Sequence, residues 1–240
     1  MEILFFLAAF ISEIVGTIAG FGSSTVFLPL AVFFVDFKTA LSLVAIFHIF
    51  GNLGRVGFFR RGLDKNMLIR FGLPGVALTF LGALLVSVIP QNLLKGLLGI
   101  FLVCYSLMVF WKENYKVKPT LINTLIGGGA SGFLAGLIGT GGALRGAFLT
   151  GFGLPKDKYI ATTAAIALAV DLTRIPVYLS SGFLENKYYW YIPLLLIIAL
   201  LGSFSGKQIV GRIPQKKFTK FVLTAILLIG LKFIYDWVKL

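Results

Sequence analysis

The chain has 240 residues, of which 58% are hydrophobic and 13% charged, with a formal net charge of +13. A soluble domain carries roughly 45–50% apolar and about 25% charged residues, and one this small could not hide so much apolar surface, which excludes a water-soluble enzyme, a disordered tail and a nucleic-acid module. The cations stand in short patches between apolar runs, as in membrane-protein loops, and the single Cys104 lies inside such a run, which excludes a disulfide framework and a thiolate metal site.

A transmembrane helix takes about 20 mainly apolar residues. The first apolar stretch, 2–35, is too long for one span and is interrupted by Gly20-Phe21-Gly22-Ser23-Ser24, so it reads as two helices, 2–19 and 23–35. Met1-Glu2-Ile3 lacks the positive start of a signal peptide, and the first lysine or arginine is Lys38, so 2–19 is expected to stay in the mature protein with its N-terminus outside. Full-length spans follow at 39–59, 66–89 and 92–111. The stretch 120–153 repeats the opening design: Gly139-Thr140-Gly141-Gly142 divides it into 120–138 and 142–153. Spans at 159–180, 188–206 and 218–237 complete the chain.

The two halves, 1–118 and 119–240, read as a duplication forming one membrane domain. Gly20-Phe21-Gly22 aligns with Gly139-Thr140-Gly141, and at the same offset Arg55 falls on Arg174, Phe59 on Tyr178 and Pro74 on Pro193. Small insertions then bring Gly62 onto Gly182, Gly82 onto Gly202, and Ile89-Pro90-Gln91 onto Ile213-Pro214-Gln215. If each interrupted stretch crossed the membrane once, loop and end cations would split 10 against 9. If each is a hairpin returning to its starting side, the split is 14 against 5, with Arg55, Arg145 and Arg174 inside apolar segments. The positive-inside rule selects the hairpins. The expected fold is therefore an all-α integral membrane protein of two inverted repeats, each a glycine-broken helix hairpin followed by three transmembrane helices. Both termini lie outside, and loops 60–66, 112–119, 154–158 and 207–217 face the cytoplasm. Tyr188-Tyr189-Trp190-Tyr191, Trp111 and Trp237 fall where interfacial anchors belong.

Inverted repeats with interrupted helices are a transporter design in which the breaks line the site, because unpaired backbone survives in a bilayer only beside a cavity or within protein. At Gly22-Ser23-Ser24-Thr25 a helix begins, offering free N–H groups, hydroxyls and the positive end of a helix dipole. Thr140-Gly141-Gly142 opens the matching helix, and Arg145 adds a full positive charge three residues in. Two such N-termini would converge on a small anion. The alternative is that the glycines serve close packing, the role expected of Gly128, Gly132 and Gly136 at four-residue spacing.

Ionisable groups in apolar segments mark function by default. Arg55 and Arg174, with Asn52 and Asp171 one turn before them, are expected to bracket the site as gates. The opposing expectations are that Arg55 snorkels to the interface and that Arg174 pairs locally with Asp171. Glu13, which shares a face with Gly16 and Gly20, and Asp171 are candidates for carrying a coupling proton. So is His48, one turn before Asn52, unless its role is hydrogen-bonded packing.

The residues Gly20-Phe21-Gly22-Ser23-Ser24 followed by Pro29-Leu30, Gly139-Thr140-Gly141-Gly142, Lys38-Thr39-Ala40-Leu41-Ser42, Tyr159-Ile160-Ala161-Thr162-Thr163, Gly82 and Gly202 together resemble the sulfite exporter TauE/SafE family, also called toluene sulfonate uptake permeases. The resemblance spans nearly the whole chain. It implies a secondary transporter of small sulfur-containing anions (sulfite, sulfoacetate and other organosulfonates) across the cell inner membrane. Arg145, and the lack of a second-half counterpart of Pro29, depart from the pattern. The expectation is an anion held by Gly22, Ser23, Ser24, Thr25, Thr140, Gly141, Gly142 and Arg145, moved by alternating access. An uncoupled anion channel or facilitator and a carrier of another small carboxylate are the alternatives. No G-x-x-x-x-G-K-[ST] loop is present, so the energy source is expected to be a proton or sodium gradient. No cofactor, metal or catalytic group is expected. A homo-oligomer is left open.

Overall fold

The computed structural model describes residues 1–19, 22–59, 62–111, 116–209 and 215–239. Of the residues singled out above, Gly20, Phe21, Ile213, Pro214 and the side chain of Phe59 lie outside the described set, as do Arg60, Arg61, Lys112 and Arg212.

Among the described residues, all regular structure is helical. The elements are α1 (Glu2–Ala19), α2 (Ser24–Ala31), α3 (Phe37–Phe59), α4 (Lys65–Met67), α5 (Leu73–Leu85), α6 (Gln91–Trp111), α7 (Leu121–Ile138), α8 (Gly142–Gly151), α9 (Lys156–Ser180), α10 (Tyr191–Ile209) and α11 (Gln215–Val238). A π-helical stretch, Leu68–Gly72, joins α4 to α5 into one rod. It lies just before Pro74, which supplies no N–H for the regular i→i−4 ladder. Eight of the described segments are long and apolar enough to cross a bilayer, and α2 and α8 are not among them. At 1.5 Å per residue, α2 is about 12 Å long and α8 about 15 Å, against a hydrocarbon core of about 30 Å.

Both short helices fold back along the helix before them. Gly16 of α1 lies against the backbone of Gly22 and Ser23, and Phe5, near the start of α1, meets Phe27 at 5.2 Å and Phe34 at 6.1 Å between ring centroids. In the second half Gly141 lies on the Ser131 carbonyl and Gly127 against the Phe148 ring. The Val117 N–H donates to the Gly151 carbonyl at 3.0 Å, closing the base of that hairpin. Each interrupted stretch is thus a hairpin, a membrane-length helix with a short helix laid back along it toward its starting end.

The packing list has a regular form. Helix α1 packs on α10, α5 on α7, α3 on α9 and α6 on α11, with α10 also on α3 and α5 also on α9. Exchanging α1, α2, α3, α5 and α6 for α7, α8, α9, α10 and α11 in order returns the same list. Helices α3 and α9 are the centre: their membrane-length windows are 61% and 56% buried, against 28% for α10 and α11. The outer helices expose rows such as Phe80, Leu81 and Leu84 or Ile197, Leu200, Leu201 and Phe204, surfaces suited to lipid.

Small residues set how closely the rods approach. A Cβ built on Gly128, Gly132 or Gly136 of α7 would lie 2.1, 2.0 or 2.2 Å from the carbonyl oxygens of Phe71, Gly75 or Thr79 respectively. The four-residue glycine spacing thus meets a four-residue row of carbonyls, and Thr79 Oγ1 donates to the Gly132 carbonyl at 2.9 Å. Gly99 and Gly230 do the same for α6 and α11.

Candidate functional site

The two breaks meet. Ser23 caps α2 and Gly141 caps α8, and the hydroxyls of Thr25 and Thr140 form a buried hydrogen bond of 2.8 Å between the tips. Each tip needs a glycine for backbone reasons. Gly22 has φ +88° and Gly139 φ +72°, a region that L side chains rarely adopt. Space imposes the same choice, since a Cβ on Gly22 would sit 2.9 Å from His48 Nε2 and one on Gly141 1.8 Å from the Ser131 carbonyl oxygen.

Around the tips lie five buried charged groups and one histidine. In the first half, Arg55 on α3 donates through Nη1 to Asn52 Oδ1 at 2.9 Å, and its Nη2 forms an ion pair with Glu13 Oε1 on α1. That oxygen also accepts from Ser203 Oγ on α10 at 2.6 Å, and Gly51 leaves room for the carboxylate, since a Cβ there would lie 2.5 Å from Glu13 Oε1. In the second half, Arg174 on α9 pairs with Asp171 Oδ1 on the same helix, at 2.9 Å through Nε and 2.7 Å through Nη2. Its Nη1 donates to the Ala135 and Gly139 carbonyls at 2.7 and 2.9 Å, satisfying oxygens that the broken end of α7 leaves without helical partners. Tyr178 adds a bond from its hydroxyl to the Gly136 carbonyl. Across the centre, His48 Nδ1 lies 2.9 Å from Asp171 Oδ2, and Asn52 Nδ2 donates to the same oxygen at 3.5 Å.

The snorkelling expected of Arg55 does not occur. Its side chain is 9% exposed and held by Glu13 on α1. The local pairing of Arg174 with Asp171 does occur, joined to the helix-end bonds that no spacing in the sequence announces.

Arg145 differs from the other two arginines. It is 2% exposed, its Nε has no hydrogen-bond partner, and no carboxylate among the described residues forms an ion pair with it. It lines a cavity of about 10 Å³ together with Ser24, His48, Gly139, Gly141, Gly142, Asp171 and Arg174. Counting formal charges, Arg55 balances Glu13 and Arg174 balances Asp171. With a neutral imidazole, one positive charge remains, and it is Arg145.

The structure thus gathers the residues of both breaks and of the gate set into one region. Gly22 lies against His48, Ser24, Gly141, Gly142 and Arg145 line the cavity, and Thr25 and Thr140 hold each other. Ser23 Oγ is buried without a partner. Ser203 joins this region without a signal of its own beyond following Gly202, whereas Tyr178 stands on the same i, i+3, i+7 face of α9 as Asp171 and Arg174.

Short hairpin helices meeting at buried charge, inside a bundle of membrane-length helices, are the architecture of a membrane transporter. A family model described as sulfite exporter TauE/SafE matches residues 4–233, and the chain belongs to that family of membrane transporters. A probable membrane transporter protein of Methanocaldococcus jannaschii is 26% identical, covering 93% of this chain and 91% of its own length. One of Sinorhizobium is 25% identical, covering 94% and 88%. No solved structure matches the chain.

Proposed function

We propose that the protein is a secondary transporter of a small sulfur-containing oxyanion, bound between the two helix tips with Arg145 as its counter-charge. The observation that carries the reading is the uncompensated buried arginine. An isolated buried charge is costly, and an anion beside Arg145 removes that cost while meeting the free N–H groups at the starts of α2 and α8. The family description supports sulfite or an organosulfonate as the anion.

Alternating access follows from the same geometry. The cavity has room for about one water, so an oxyanion requires the tips to part, and the Thr25–Thr140 bond is the contact that must open. The self-exchanging packing list supports two repeats of opposite orientation rocking about α3 and α9. The 14-to-5 cation split supports both termini outside a cell inner membrane.

Thermal unfolding of the purified protein in detergent tests the site, with sulfite, sulfoacetate, sulfate, acetate and chloride compared. A ligand at 100 times its dissociation constant stabilises by about 2.7 kcal/mol. Stabilisation by sulfite or sulfoacetate that disappears in Arg145→Gln is the expected result. Equal shifts in wild type and Arg145→Gln would remove Arg145 from the site.

A further inference from the structure

We infer that His48 holds, at Nε2, a proton that crosses the membrane with the anion, an inference that rests on the anion site proposed above. The argument begins with the ring's two nitrogens. Asp171 Oδ2 is an acceptor, so the nitrogen 2.9 Å from it, Nδ1, carries the ring hydrogen in the neutral form. Nε2 is then a bare lone pair. It is buried and has no hydrogen-bond partner, and it points at the first helix tip, where only a glycine at position 22 leaves it space.

The charges around the ring are few. From α9 it faces Asp171 and Arg174, and from α8 Arg145. Its own helix contributes Arg55, which is occupied by Glu13 of α1. Of the other helices packed against α3, α2 brings Ser24 to the cavity and α10 brings Ser203 to the Glu13 carboxylate. A fully deprotonated oxyanion beside Arg145 has acceptors only, so an oxygen turned toward His48 would set lone pair against lone pair. A proton between that oxygen and Nε2 converts the repulsion into a charge-assisted hydrogen bond.

Charge balance gives the same answer. Arg145 alone neutralises a monoanion that brings its own O–H, while Arg145 with an imidazolium neutralises a dianion. Both descriptions contain one anion, one proton and one O–H–N bridge. The proton is taken from water with the anion on one side and returned with it on the other. The favoured substrates are therefore oxyanions of acids with a second exchangeable proton, as sulfite is. Strictly monovalent sulfonates without a donor leave Nε2 unmatched.

Calorimetry on the purified full chain tests this, titrating sodium sulfite in two buffers of different ionisation enthalpy at a pH where free sulfite is chiefly the dianion. Binding linked to protonation makes the observed heat depend on the buffer. Uptake of one proton per sulfite is expected, with methanesulfonate binding about tenfold or more weakly and taking up none. His48→Asn keeps an amide donor toward Asp171 and leaves no acceptor at the position of Nε2, so it should lose the uptake and about tenfold in sulfite affinity. His48→Gln, which restores an acceptor farther out, should recover part of that affinity. Buffer-independent heats in wild type, or unchanged proton uptake in His48→Asn, overturn the inference while leaving the anion site standing. Failure of both anions to bind overturns the anion site, and this inference with it. The wild-type comparison does not depend on either variant folding.

Discussion

Arg55 and Arg174 occupy equivalent positions in the two halves, on equivalent central helices, and each turns toward the broken helix that opens its own half. Their partners differ. Arg55 meets a carboxylate, Glu13, part-way along α1, whereas Arg174 meets the bare carbonyl end of α7 and takes its carboxylate, Asp171, from one turn back on its own helix. The residue one turn before Arg55 is Asn52, in the place of Asp171. Glu13 aligns with Gly132, which lies on the Gly75 carbonyl where no side chain fits. The cation thus stands at matching places on α3 and α9, while the counter-charge lies on different helices, α1 for Arg55 and α9 itself for Arg174. A buried arginine requires a carboxylate within reach, and the helix that supplies it is free to change.

Four outcomes test this comparison, beginning with the largest effect. Arg174→Gln strips Asp171 and two helix-end carbonyls of their donor at once, and is expected to cost about 3–5 kcal/mol, read as loss of monodisperse protein on gel filtration and a lower unfolding temperature. Arg55→Gln should cost less, because Glu13 keeps its bond from Ser203, as Asp171 keeps His48, and no helix-end carbonyl loses its donor. Equal losses would break the claim that the two arginines do unequal structural work. The sharpest test transfers the acid. Glu13→Gln leaves Arg55 uncompensated at a cost on the order of 3 kcal/mol, and adding Asn52→Asp gives the first half the acid arrangement of the second. The double variant should regain more than half of the loss in unfolding temperature, and no recovery would show that the carboxylate is tied to α1.

The third outcome concerns the helix crossings. Gly132→Ala drives a methyl into a backbone carbonyl and should cost about 1–3 kcal/mol. Gly129→Ala, on the same helix, meets only the end of the Leu78 side chain at 2.8 Å and should cost under about 1 kcal/mol, because a leucine methyl can turn aside. Equal unfolding temperatures for the two would contradict the rigid character assigned to the α5–α7 backbone contact. The smallest effect is that of Thr25→Val, which removes the bond between the tips and should lower stability by about 1 kcal/mol. Thr25→Val with Thr140→Val should then cost little more than either alone, since their effects are coupled.

Much of this architecture was legible because glycine, charge and apolar length are local signals. The runs at 20–24 and 139–142 marked both breaks, and the spacing of Gly128, Gly132 and Gly136 marked a close helix contact without naming its partner, α5. The spans agree with the helices to within a few residues where caps or charges end them. They overrun where apolar sequence continues past the helix: 23–35 contains α2 only to Ala31, and 66–89 contains a rod that ends at Leu85 and closes in i→i−3 turns. Hydropathy does not register that loss of helical winding.

The pairings between helices were not legible. Glu13 and Arg55, His48 and Asp171, and Ser203 and Glu13 are 42, 123 and 190 residues apart. Each lies on a different helix from its partner, so no periodicity links them. The capping of α7 by Arg174 follows from the chain turning out of the helix at Gly139, which becomes visible only once the break has a shape.

The bond between Thr25 and Thr140 also bears on timing. A single buried hydroxyl pair contributes about 1 kcal/mol, a factor of roughly five in an equilibrium, so it holds the tips together without locking them. Thermal motion parts such a contact often, so in the proposed alternating-access cycle its rupture is too cheap to limit turnover. The slow event of that proposed cycle would be the sliding of glycine-seated rods past one another, where carbonyl rows leave their register.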